Sequence, residues 1–271
     1  MSGLLERTLG ILEYLSEQEQ PVELAQLSEQ LQIPKSAAHR MLADLIRNGY
    51  VRQTRDQGAY ALTYKLVSLG LSYLSKTGVI DMAQPLLDRL AAQSGELVRL
   101  SVVDGDRLTW VARAQGARQG LRYDPDMGST ARLSCSSSGW AWLSTMDDDA
   151  ALALVAHQGL GLPKDFGPNA PKSMKAVLKA LQDTRKQGFA LTEETYTAGL
   201  NAIAAPVGLV GQPPMGTISV AGPSARLTRQ RMVDLSHDLI SCAAQLAAAG
   251  AVSPMLASGK SGTRLQPIYA P

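Results

Sequence analysis

Apolar residues recur with a helical period through residues 33–50. The repeating positions are three or four residues apart, which is the pattern of one buried face of an amphipathic helix. They are Ala38, Met41, Leu42, Leu45 and Ile46. Pro34 suits the first helical turn, where a missing N–H costs nothing. Asn48-Gly49 is a typical left-handed stop signal, so the stretch predicts one helix with defined ends.

The opposite face of this predicted helix carries polar and basic residues and one small residue, alanine. They are Lys35, Ser36, His39, Arg40, Ala43 and Arg47. Arginine and lysine pair with guanine edges or phosphates in the major groove, and serine and histidine contact phosphates. Taken alone, the helix fits an ordinary solvated basic surface equally well.

The flanking segments favour a DNA-recognition helix. Upstream, leucines at helical spacing over residues 22–31 predict a second helix, and a short connection joins it to the first, as in a helix-turn-helix. Downstream, alternating residues 50–54 and 59–62 flank a glycine-containing turn and predict a β-hairpin. A hairpin with Arg52 and Arg55 near its tip completes a winged helix. The alternative is a small helical cap that contacts no nucleic acid.

Charge is informative locally rather than globally. The 271 residues carry a formal net charge of only +2, and 45% are hydrophobic, which is ordinary for a chain of two domains. Residues 33–65 contain six basic side chains against two acids, whereas residues 1–32 contain one arginine and six glutamates. Basic charge therefore gathers where the recognition helix and the wing are predicted.

Cysteine and histidine are sparse. The two cysteines, Cys135 and Cys242, and the three histidines are scattered, so neither a structural zinc site nor a disulfide framework is indicated. The sequence also shows no signal-peptide pattern and no run of about 18 apolar residues. We therefore expect a cytoplasmic protein without cofactor, metal or membrane contact.

The remaining pattern predicts a linker helix and a second domain. The predicted division is a winged helix-turn-helix over 1–63, a linker helix over 64–77, a second domain over 78–250 and a mobile tail over 251–271. In the second domain, strands are predicted at 97–103, 108–114, 120–123, 189–192, 201–207 and 215–221. Helices are predicted at 79–94, from about 139, and at 150–157, 173–187 and 228–249. Strands flanked by helices at both ends indicate an α/β (α+β) domain with a mixed antiparallel sheet.

Six segments together carry a family likeness. They are IPKSAAHRMLADLIRNGYV, GAYALT, LSCSSSGWAWLS, RKQGFALTEE, AGLNAIAAPV and TISVAGPSARLT. In this order and spacing, over residues 4–250, the chain resembles the IclR family of bacterial transcriptional regulators. The resemblance implies a C-terminal effector-binding domain of GAF-like fold. It also implies a homodimer, often paired into tetramers, that binds a pseudo-palindromic operator and regulates genes of small-molecule catabolism.

Two departures from the family pattern concern its contacts. Ala37 stands where the family usually has a threonine or serine hydroxyl, so one DNA contact is in doubt. Residues 133–137 read Leu-Ser-Cys-Ser-Ser, where the family often reads Leu-His-Ala-Ser-Gly. The pocket is expected to contain more hydroxyl groups than is usual in the family, so the identity of the effector cannot be inferred from other members.

The resemblance places a small carboxylate at Ser137, Ser138 and Gly139. Free N–H groups at a helix N-terminus favour an anion there. The other implied wall residues are Leu121, Tyr123, Thr192, Ala202 and Ser219. Thr192, Ala202 and Ala221 make one wall of the expected pocket less polar and leave room for a larger acid. An aromatic carboxylate that stacks on Tyr123 is one candidate. Without the resemblance, the serine run is more simply a flexible loop followed by an N-cap.

Other interpretations remain open at this point. A serine hydrolase fits poorly, because the G-x-S-x-G motif is absent and neither His157 nor His237 has a triad context. A regulator controlled by a protein partner, with its second domain serving assembly, is a further alternative. Cys135 is interpreted either as a redox sensor or, more simply, as a small buried residue, and Cys242 as a core residue.

Overall fold

The computed structural model describes residues 3–54, 58–125, 127–209 and 211–250. The chain divides into two compact units between Lys76 and Thr77, at the end of the predicted linker helix. The finer four-part division stays a prediction. Arg55 at the predicted wing tip and the tail at 251–271 lie outside the described residues.

The first unit is a helix-turn-helix followed by a small hairpin. Its elements are α1 Leu4–Ser16, α2 Leu24–Gln30, α3 Lys35–Arg47, β1 Val51–Gln53, β2 Tyr60–Leu62 and α4 Lys65–Thr77. The two strands pair antiparallel. Ile11, Leu27 and Leu42 are fully buried at the centre of its core. The winged helix predicted from the sequence is confirmed.

The predicted ends of α3 are close to those observed. Pro34 is the N-cap rather than the first helical residue, and Asn48 is the C-cap. Gly49 has a φ of +75°, which a residue without a Cβ adopts at low cost. Four of the five predicted apolar positions are buried, and Ile46 is the exposed exception.

Helix α2 is shorter than predicted because its first residues pair with the wing. The N–H of Val22 donates to the carbonyl of Tyr60 at 2.9 Å, and the reverse bond is 2.8 Å. This bridge holds Val22 in an extended conformation, so α2 begins at Leu24. It also ties β2 to the helix-turn-helix.

The second unit is a five-stranded sheet with helices on both faces. Its elements are α5 Val79–Ser94, β3 Leu97–Asp104, β4 Arg107–Gln115, α6 Ser137–Leu143, α7 Asp148–Gln158, a 3-10 turn Pro163–Asp165, α8 Met174–Gln187, β5 Ala190–Glu193, β6 Leu200–Val207, β7 Gly216–Pro223, α9 Arg229–Asp234 and α10 Ser236–Gly250. The strand order is β4-β3-β7-β6-β5, and every pairing is antiparallel.

Side chains alternate between the two faces of this sheet. One face packs against α5 and α10, with Leu87, Ile218 and Leu239 fully buried between them. The other face packs against α6 and α8, with Leu133 and Leu181 fully buried. Each face therefore has its own apolar core. In the described ranges no helix has the length and apolar character needed to cross a bilayer.

Two predicted elements differ from the structure. Residues 120–123 form no strand, and side chains from β4 bind this segment instead: Gln115 donates to the carbonyl of Tyr123 at 3.0 Å. The predicted helix 228–249 is two helices that meet at Leu235. The Ser236 hydroxyl donates to the carbonyl of Val233 at 2.7 Å, and such back-bonding bends helices.

Candidate functional site

The exposed face of α3 is the candidate nucleic-acid surface. Lys35, Ser36, His39 and Arg40 are all exposed there, and none of them has a side-chain partner in the part of the chain that the structure describes. Their donors therefore face solvent, where phosphates and base edges are accessible.

The other predicted DNA-binding residues are the arginines at the end of α3 and on the wing, and only some of them are available for contacts with DNA. Arg47, at the end of α3, forms an ion pair with Asp44 one turn earlier. Arg52 is exposed on β1. Arg55 belongs to a segment outside the described residues. Arg52 is therefore the wing cation whose position the structure gives.

Lys65 has a structural role instead. Its Nζ donates to the carbonyl of Asn48 at 2.6 Å and lies 4.5 Å from the ring centroid of Tyr50. A cation at a helix C-terminus is favourable, because the last carbonyls are unpaired and carry partial negative charge. Lys65 thus stabilises the end of α3 rather than adding to the free basic surface.

In the second unit, the sheet and the start of α6 line a partly open cavity, in which about 350 Å³ is free of protein atoms when the adjoining solvent is included. Its lining residues are Arg99, Trp110, Ser136, Ser137, Ser138, Thr192, Tyr196, Leu200, Ala202, Ser219 and Ala221. The strand register brings the sheet residues together, since Ser219 pairs with Arg99 and Ala202 pairs with both Thr192 and Ala221.

Five of the eight predicted effector residues line this cavity: Ser137, Ser138, Thr192, Ala202 and Ser219. The Thr192 hydroxyl donates to the carbonyl of Ala202 at 3.1 Å, and the Ser219 hydroxyl to that of Arg99 at 3.4 Å. Over the described ranges, the hydroxyls of Ser137 and Ser138 form no hydrogen bond, which leaves them for a ligand.

Gly139 does not line the cavity. Its N–H donates to the N-cap hydroxyl of Ser136 at 3.0 Å, so it is already bonded. A Cβ on Gly139 would lie 2.7 Å from the Cα of Leu133. Gly139 therefore lets α6 pack closely, and its predicted contact with a carboxylate is corrected to a packing role.

The other two predicted residues lie on the loop after β4. Leu121 is 72% exposed and lies outside the cavity, so its predicted wall position is wrong. Tyr123 is half-buried with its ring centroid 5.6 Å from the Cζ of Arg99. Burial raises the pKa of the Tyr123 hydroxyl above its ordinary value. The side chain of Tyr123 interacts with Arg99 through both its ring and its hydroxyl. It also packs against Leu200, Ala202 and Ala221 of the cavity lining, although it is not itself a lining residue.

Arg99 is the cavity residue that the sequence reading missed. It is 5% exposed, and its Cζ lies 3.8 Å from the ring centroid of Trp110. Burial lowers the pKa of the guanidinium, and only the hydroxyls of Tyr123 and Tyr196 oppose that effect. A charged residue inside the apolar run 97–103 was the available signal.

Two buried side-chain nitrogens in the described ranges have no hydrogen-bond partner. They are the Nε of Arg99 and the Nε1 of Trp110, and both residues line the same cavity. Buried donors are nearly always satisfied in native proteins. Two residues of the cavity lining therefore carry donors that the described part of the chain leaves unsatisfied.

The cysteines and histidines supply no reactive group to the cavity. Burial raises the pKa of both the Cys135 and the Cys242 thiols to about 11, so neither is a thiolate at neutral pH. The buried-residue interpretation of Cys135 is thereby favoured over the redox sensor. His157 and His237 are exposed and do not line the cavity. The serines consequently have no histidine base beside them.

Comparison with known proteins gives the same division into two functional parts. Residues 4–55 match the IclR helix-turn-helix domain, and residues 71–248 match the bacterial transcriptional regulator IclR C-terminal family. The acetate operon repressor of Salmonella typhimurium is 28% identical over 243 residues, which cover 89% of this chain and 88% of that protein.

Two solved structures share the fold. An IclR transcriptional regulator from Alicyclobacillus acidocaldarius has a TM-score of 0.78 and 21% identity, covering 92% of this chain and 99% of that one. An IclR homolog from Microbacterium hydrocarbonoxydans, complexed with 4-hydroxybenzoate, has a TM-score of 0.72 and 18% identity, covering 90% and 99%. With both family matches in chain order, the chain belongs to the IclR family of DNA-binding transcription regulators, which have an effector-binding domain and are not enzymes.

Proposed function

We propose that this regulator controls a catabolic operon by binding a pseudo-palindromic operator, and that a small organic acid in the cavity changes its affinity for that operator. The observation that carries the proposal is the convergence of Ser137, Ser138 and the cation Arg99 on one cavity of the effector-binding domain. The positive charge and the free hydroxyls suit an acid.

The DNA side of the proposal rests on the exposed face of α3. We propose that Lys35 and Arg40 face the groove and that Ser36, His39 and Arg47 lie near the DNA backbone, because all five side chains are exposed. Arg52 reaches from the wing, and Arg55 has the same proposed role. One winged helix contacts too few base pairs for high specificity, so we propose that two bind as a homodimer.

Exposed apolar residues support assembly through α1 and α4. Leu4, Leu5 and Leu9 are exposed on α1, and Val67 and Leu71 on α4. Apolar patches on a monomer surface are typical of protein–protein interfaces. We propose that these two helices form the dimer contact and that dimers pair into tetramers.

An aromatic carboxylate is the proposed effector. The cavity is lined by Leu200, Ala202 and Ala221 on its apolar wall, and by the rings of Trp110 and Tyr196. The structural relative that was solved with 4-hydroxybenzoate supports this chemical class.

Operator selection followed by titration tests the proposal. Purified protein would select fragments from a random DNA pool, and the enriched sequence should contain an inverted repeat. Affinity for that sequence would then be measured with and without a panel of aromatic carboxylates. We expect one of these carboxylates to change the operator affinity by about 5- to 150-fold. A selected site without symmetry, or the same affinity with every acid, would reject the corresponding half of the proposal.

A further inference from the structure

Arg99 is a buried cation without an acidic partner. Only 5% of Arg99 is exposed, and within the described residues no carboxylate lies at ion-pair distance from it. The same domain shows how a structural pair is built: Arg226 meets the two carboxylate oxygens of Glu96 at 2.8 and 2.9 Å. The hydroxyl of Tyr123 is hydrogen-bonded to the guanidinium, but burial raises its pKa and it carries no charge at neutral pH. A buried cation without a counter-ion is strongly destabilising, so Arg99 calls for one from outside the chain.

The geometry around Arg99 restricts how that counter-ion approaches. The ring of Trp110 lies against the guanidinium, 3.8 Å from its Cζ, and occupies one face of the group. An acceptor must therefore reach the N–H edge, where the Nε has no partner. A carboxylate offers two coplanar oxygens, which match a pair of neighbouring N–H donors. The indole N–H of Trp110, also unpaired, is a second donor beside the same cavity.

The charge of the lining limits the charge of the ligand. Arg99 is its one ionised side chain among the described residues, and the others are hydroxyl, aromatic or aliphatic groups. A second negative charge on the ligand would be buried without a counter-ion. The free hydroxyls of Ser137 and Ser138, on the helix side of the cavity, suit a neutral polar group instead.

We propose that Arg99 and Trp110 are the carboxylate receptor of this cavity, and that they select an acid with a single negative charge. The carboxylate lies at the sheet, and the neutral end of the ligand lies toward Ser137 and Ser138, which is the reverse of the orientation that the family resemblance implied. The inference rests on the proposed function, because it assigns the ligand chemistry of the same cavity.

Calorimetric titration of the full chain tests the receptor directly. The probes are benzoate and 4-hydroxybenzoate, with benzamide as the neutral isostere and phthalate as the dianion. Both monoanions should bind at least about tenfold more tightly than benzamide and phthalate. Arg99→Met should abolish the preference for acid over amide. Trp110→Phe keeps an aromatic face beside the guanidinium but removes the N–H donor, so it should weaken binding of the acids by about 3- to 10-fold. Ser138→Ala is the matched control and should retain the preference for acids.

The outcomes separate this inference from the proposed function. If Arg99→Met still prefers acids to the amide, the carboxylate binds elsewhere, and the receptor is overturned while the acid effector stands. If phthalate binds as tightly as benzoate in the wild type, selection for a single charge is overturned. If the wild type binds neither monoanion at about 10 mM, the receptor and the aromatic-acid effector fail together.

Thermal unfolding without ligand distinguishes a receptor from a structural arginine. Arg99→Met removes an unpaired buried charge and fills the space with an apolar chain, so the Tm should rise by about 2–4 °C. Arg226→Met is the matched control and should lower the Tm, because it leaves the buried carboxylate of Glu96 without its partner. An unchanged or lower Tm for Arg99→Met would show that the protein itself stabilises this charge, and it would overturn the proposal.

Discussion

Close packing at Gly139 positions the serines of the cavity. A Cβ at this residue would lie 2.7 Å from both the Cα and the carbonyl oxygen of Leu133, which are backbone atoms that cannot move aside. Gly139→Ala should therefore push α6 away and lower the free energy of unfolding by about 1–3 kcal/mol. Urea denaturation of the C-terminal unit, followed by tryptophan fluorescence, measures the change.

Ser137→Ala is the control in the same turn of α6. Its hydroxyl has no hydrogen-bond partner within the described part of the chain, so its loss should leave the urea midpoint almost unchanged. An equal loss of stability in both variants would mean that this turn tolerates no substitution. The close approach to Leu133 would then not be the cause.

Residue-level chemistry was only partly predictable from the sequence. Ser137 and Ser138 were singled out through the family resemblance, because the local sequence alone favours a loop followed by an N-cap, and the structure does place the N-cap at Ser136. Leu121 was misplaced, since nothing in the sequence shows that the loop after β4 turns its side chain to solvent. Arg99 was missed because its importance depends on its surroundings in the folded sheet. No acidic side chain interacts with it there, and the sequence alone does not show which residues surround it.

At the level of single elements, α3 and the wing should differ in what they contribute to DNA binding. Arg40 is exposed on α3 without a partner in the described residues, and it is proposed to read a base. Arg40→Ala should cost about 1–3 kcal/mol of operator binding and relax the sequence preference at one position. Arg52→Ala, on β1, should weaken binding to all sequences and reduce its salt dependence.

Fluorescence anisotropy with the selected operator and with point-substituted operators measures both effects. Arg47→Ala is a useful control, because Arg47 already pairs with Asp44 and should contribute less than Arg40. Operator affinity that stays at the wild-type value in both Arg40→Ala and Arg52→Ala would remove α3 and the wing from the interface.

Elements with strong local signals were predicted well. Helix α5 has its predicted bounds, and the predicted helix 150–157 is present as α7 Asp148–Gln158, with Asp147 as its N-cap accepting from the N–H of Ala150. The segment 120–123 was not predictable, because side chains from β4 hold its end: Gln115 donates to the carbonyl of Tyr123, and Arg113 pairs with the adjacent Asp124 at 2.6 Å. Local sequence encodes caps and turns, whereas these contacts depend on the assembled sheet.

For the molecule as a whole, the exposed apolar face of α4 should control assembly. Leu71 is 61% exposed on this helix, and its neighbour Ser72 is exposed as well. Leu71→Glu would place a charge in the proposed dimer contact and should weaken dimerisation by about tenfold or more. Ser72→Glu adds the same charge beside it and should have the smaller effect. Sedimentation equilibrium at micromolar concentration gives both constants, and a wild type that is strictly monomeric would contradict the interface.

Ligand response is the property that requires both units. A ligand changes operator affinity only if it binds two arrangements of the dimer unequally, so filling the cavity should uncouple the units without abolishing DNA binding. Ser138 is buried, lines the cavity and has a free hydroxyl. Ser138→Leu should exclude the effector by bulk and remove one donor. Because α3 belongs to the other unit, the variant should bind its operator with wild-type affinity and show less than about a twofold response to the inducing acid, against 5- to 150-fold for the wild type. Circular dichroism and sedimentation would check that it folds and assembles. A response as large as that of the wild type would place the effector site outside this cavity.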